Sequence, residues 1–89
     1  MLDVIRKVYP NARGTVIASV PDERAAQKLI DRQIKADQKL LRGLFGDLVG
    51  EPVKYAYPSI GTGVFGCEVV ARLDGQVAGA VAVWANLQD

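Results

Sequence analysis

Six basic residues, Arg24, Lys28, Arg32, Lys35, Lys39 and Arg42, follow one another at steps of 4, 4, 3, 4 and 3 residues. At about 100° per helical residue they share a stripe roughly 80° wide and about 27 Å long. No acid interrupts it. The chemistry open to such a row is anion binding. A solvated helix face ordinarily mixes Glu with Lys at i,i+4. Here Arg24, Lys28 and Arg32 repel at that spacing, as do Lys35 and Lys39, at a cost of about 0.2–0.5 kcal/mol per pair. A cost without a local return points to a return elsewhere. Phosphates of a nucleic-acid backbone would supply it, and so would an acidic protein surface. A membrane surface is not expected as the partner, because the apolar side of the same helix is needed for the core. The competing expectation is a solvated face whose charge is balanced within the fold by acids such as Asp31 or Glu51.

The rest of the chain offers little else that does chemistry. Histidine is absent, which removes the commonest metal ligand and general base. Ser19, Ser59, Thr15 and Thr62 therefore have no imidazole to activate them. Cys67 stands alone, so no internal disulfide forms, and its strand pattern predicts a packed thiol in a reducing compartment. Neither a catalytic residue, a metal site nor a cofactor is expected, and the protein reads as a binding protein, not an enzyme. Tyr55 and Tyr57 alternate and so share one strand face. They form either a base-stacking pair or part of the core. Tyr9 is a third aromatic candidate, and Arg6, Lys7 and Arg13 are placed to extend a positive surface.

The run Gly61-Thr62-Gly63-Val64-Phe65-Gly66 matches GxGxxG. It precedes a strand pattern and not a helix, so it fails as a dinucleotide fingerprint. Residues 60–69, with the following turn and Ala80-Val81-Ala82-Val83-Trp84, resemble the glycine-rich hairpin of protein kinases over about 25 residues. That resemblance implies a phosphate-covering loop. The chain lacks the strand lysine, the catalytic loop and the metal-binding aspartate of that family, and it is too short for the fold, so a kinase is excluded. Two expectations for the loop remain: backbone N–H groups approaching a phosphate or another chain, or glycines that permit tight backbone geometry.

The elements that must hold the stripe follow from pattern and punctuation. The 89 residues, with 49% hydrophobic and 24% charged residues and a formal net charge of +1, make one domain over 1–89. Any basic character is therefore local. The N-terminus lacks the order of a signal peptide and no apolar run approaches 18 residues, so a cytoplasmic protein is expected. Residues 2–9 fit a short helix through Leu2, Ile5 and Val8, with a strand as the alternative. Pro10, Asn11 and Gly14 mark a turn. Thr15–Val20 reads as a strand. Ser19 and Asp22 form a capping pattern for a helix over 22–45, with Ala26, Leu29, Ile30, Ile34, Leu40, Leu41 and Leu44 opposite the stripe. Gln33 and Asp37 interrupt that apolar side. They either tilt to solvent or make a polar contact across a helix pair. Gly46 and Gly50 end the helix, 52–57 is a short strand and 58–63 a loop. Residues 64–73 and 76–87 form a hairpin around Asp74-Gly75. The expected fold is α+β: one long amphipathic helix packed on a small antiparallel sheet, in the order (α)βαβββ with a C-terminal β-hairpin.

An uninterrupted register from Leu73–Gln76 sets Phe65 opposite Trp84. Phe65, Cys67, Val69 and Ala71 then share a face with Trp84, Ala82, Ala80 and Ala78, an Ala-rich surface for the helix. Val70, Val77, Val81 and Val83 fall on the other face, which needs its own cover. A homodimer that buries these four valines is expected.

Overall fold

The computed structural model describes the chain apart from Asn11, Ala12, Ile60, Gly61 and Asp89, and within the strands it leaves out the side chains of residues 57–59, 62, 87 and 88. Five strands, β1 (Leu2–Val8), β2 (Thr15–Val20), β3 (Val53–Ser59), β4 (Thr62–Leu73) and β5 (Gln76–Gln88), form one antiparallel sheet in the order β2-β1-β5-β4-β3. The single long helix α1 (Glu23–Phe45) lies across one face. The fold is α+β as expected, but its order is ββαβββ.

The first element is a strand and not a helix. Leu2 and Val4 are buried while Asp3 between them is exposed, the period of two that a strand needs. Ile5 breaks the three-residue step, because it pairs with Trp84 on the opposite sheet face. Pairing with both β2 and β5 stabilises this segment more than one isolated helical turn would.

Asp22 caps α1, its carboxylate accepting the Ala25 N–H at 2.8 Å. Ser19 takes no part in the cap and instead donates to Asp3 at 2.6 Å across β1 and β2. Gly46, at φ 59°, turns the chain out of the helix and returns its N–H to the Arg42 carbonyl. The 58–63 loop is shorter than expected, since β3 runs to Ser59 and β4 starts at Thr62. Pro58 is tolerated in β3 because that strand is a sheet edge.

Asp74 and Gly75 form the expected hairpin, both at positive φ. The register does not continue straight. A bulge between Ala71 and Arg72 pairs Arg72 with Val77 but Ala71 with Gly79, so Phe65 faces Ala85 and not Trp84. One extra residue moves every later β5 side chain to the other face. The helix therefore packs on Val69, Val81, Val83 and Ala85, and the alanines Ala80 and Ala82 face away from it. Close approach is supplied by Gly79, where an added Cβ would stand 2.7 Å from the Phe45 ring. Leu40 and Leu44 are 55% and 71% exposed, outside the core, because Leu41 and Phe45 are the residues that close on the sheet at this end of α1.

Candidate anion-binding face

The outer face of α1 carries all six stripe residues, and each is exposed. Of the acids expected to neutralise them, Glu51 does reach one: its carboxylate accepts Arg42 at 3.2 Å, with both side chains largely in solvent. Such a pair contributes about 0–1 kcal/mol and is easily exchanged for another anion. Asp31 is engaged elsewhere. It accepts the Gln27 amide at 2.9 Å and lies 3.8 Å from Lys54 on β3. Among the described residues, Arg24, Lys28, Arg32, Lys35 and Lys39 make no hydrogen bond or ion pair. Lys28, Arg32 and Lys35 surround a shallow depression with Asp31 at its side.

The other polar positions are accounted for structurally. Asp37 is 2% exposed and is held by Arg6, reached across the helix–sheet interface. Arg6 Nε lies 3.2 and 3.1 Å from the two carboxylate oxygens, Nη2 donates at 2.8 Å, and Gln33 Nε2 adds donors at 3.2 and 3.3 Å. The hydrogen bonds to Asp37 raise the Arg6 pKa, against a smaller opposing effect of burial. Gln33 and Asp37 thus neither tilt to solvent nor meet a second helix. Arg6 neutralises an internal carboxylate and adds nothing to the outer positive surface. No local spacing in the sequence announces this pair, whose partners lie 31 residues apart.

Cys67 is buried beneath α1 beside Ile34. Burial first, and the Asp31 carboxylate second, push its thiol pKa up from the ordinary 9.0, so it stays protonated and apolar at neutral pH. In the glycine-rich run, Gly61 lies outside the described residues. Gly63 and Gly66 stand in a paired strand and not in an open loop. An added Cβ at Gly66 would strike the Val83 carbonyl oxygen and stand 2.6 Å from Trp84 Cβ. Tight backbone geometry therefore explains this glycine. Tyr55 lies on the sheet face away from α1, paired with Gly66, and the Tyr57 side chain is outside the described residues.

Val81 and Val83 are 1% and 0% exposed under the helix, so they belong to the core and line no interface. The bulge is the reason. Val70 and Val77, by contrast, fall on the uncovered face and are half-buried. Among the described residues no three His, Cys, Asp or Glu side chains group as a metal ion would require. No helix there is long and apolar enough to cross a membrane. No family model matches the chain, and no curated protein or solved structure is significantly similar to it.

Proposed function

We infer that the protein is a small binding protein whose helix α1 lies along the phosphate backbone of a nucleic acid. The supporting observation is that five exposed cations on one helix face have no acidic partner among the described residues. Like charges kept side by side over about 22 Å are destabilising alone and become favourable when they displace counterions from a polyanion. Backbone contacts carry no base information, so binding is nearly indifferent to sequence.

With five contacts the logarithm of the association constant falls against log salt with a slope of about −4.5 on duplex and about −3.5 on a single strand. On duplex that is a loss of about 500-fold between 50 and 200 mM salt. Anisotropy titrations of two labelled duplexes of unrelated sequence measure it. A slope shallower than about −2, or a strong preference for one duplex, contradicts the reading. Binding to poly-glutamate with no binding to duplex would transfer the stripe to an acidic protein partner.

A further inference from the structure

We propose that the sheet face turned away from α1 closes on the same face of a second copy, with a two-fold axis along β5. The inference is independent of the nucleic-acid reading, and its test uses no nucleic acid. Helix α1 covers the opposite face, and on this one the Gly14 backbone lies against Ile5 and Trp84. Its central row is Val16, Ile5, Trp84, Gly66 and Tyr55, one residue from each strand, and Val16 is 54% exposed. The face mixes this apolar row with the charged side chains of Asp3, Lys7, Glu68 and Arg72, and an exposed apolar row rimmed by charge marks a contact site.

The pattern of this face is self-complementary. Strand β5 is the middle strand of the five, so rotation about it lays β1 over β4 of the second copy and β2 over β3. Lys7 and Glu68 both pair with Ala82, one from β1 and one from β4. The rotation sets each Lys7 against the other copy's Glu68, giving two equivalent ion pairs around a small apolar centre. The same rotation sets Ile5 over Gly66 and Val16 over Tyr55. An isologous contact requires such matching of i with j and j with i. Sheets packed this way align to within about 30°, which leaves these pairs within reach.

Five strands at about 4.8 Å, over about 20 Å of strand length, cover about 480 Å² per copy. The total of about 1,000 Å² is at the lower limit for a specific interface, so the dimer is expected at micromolar concentration. Trp84, the only tryptophan, sits at its centre and reports it. Sedimentation and Trp84 emission over a dilution series should show a dimer whose dissociation shifts the emission to the red. Ala82→Glu should leave a folded monomer. Lys7→Glu and Glu68→Lys should each raise the dissociation constant at least about ten-fold, since like charges then oppose. Mixing these two variants should restore the dimer, which misfolding cannot mimic. A monomer at millimolar concentration, a dimer unaffected by Ala82→Glu, or no recovery on mixing would overturn the proposal.

Discussion

Arg6→Ala is expected to cost about 3–5 kcal/mol of folding stability, far more than an exposed surface substitution. Asp37 is 2% exposed, and Arg6 is its only cationic partner among the described residues. Without the guanidinium, the carboxylate keeps only the Gln33 amide, and burying a charge so poorly matched is far more costly than losing a surface pair. A small domain has about 5–15 kcal/mol in total, so the variant approaches unfolding. Replacing both partners, as Arg6→Met with Asp37→Leu, should return stability to wild type or above, because the desolvation cost vanishes with the charges. Urea denaturation followed by circular dichroism measures all three proteins. A loss under about 1 kcal/mol for Arg6→Ala would show that the pair does not tie α1 to the sheet.

The second large effect is on binding. Lys28→Glu, Arg32→Glu and Lys35→Glu together should abolish duplex binding at about 50 mM salt while leaving the fold intact. These three residues surround one depression at the middle of α1, and reversal there both removes three phosphate contacts and repels the remainder. The fold is spared because all three are exposed and make no described hydrogen bond or ion pair. Exposed substitutions of this kind shift stability by about 0.5 kcal/mol or less each. The Lys28→Arg, Arg32→Lys and Lys35→Arg variant keeps every charge and should bind like wild type. Undiminished binding by the Glu variant would place the anion on another surface.

The helix was legible in the sequence because its signals are local. Asp22, the stripe and Gly46 each act within one or two turns. The Asp74-Gly75 turn is equally local. What was not legible depended on features that no local spacing sets. The bulge beside Ala71 has no signature in the residues around it, yet it exchanges Val81 and Val83 for Ala80 and Ala82 on the uncovered face. Over 2–9 both readings are open, because Leu2, Ile5 and Val8 fit a helical step while Leu2, Val4 and Val8 fit the period of two, and pairing with β5, more than 70 residues away, decides for strand β1. The roles of Gln33 and Asp37 hid for the same reason, their partner being on that strand. Of the site, the spacing marked out the shared exposed face of the stripe. Which acids would reach it was decided by the placement of β3, which draws Asp31 to Lys54 and leaves Glu51 to Arg42.

Lysine acetylation with and without duplex, read residue by residue by mass spectrometry, tests the central claim most directly. Lys28, Lys35 and Lys39 lie on the outer face of α1, and Lys7 lies on the opposite side of the sheet. The account predicts that duplex slows acetylation of the three helix lysines and leaves Lys7 unchanged. A duplex complex in which those three react as fast as in the free protein would contradict it.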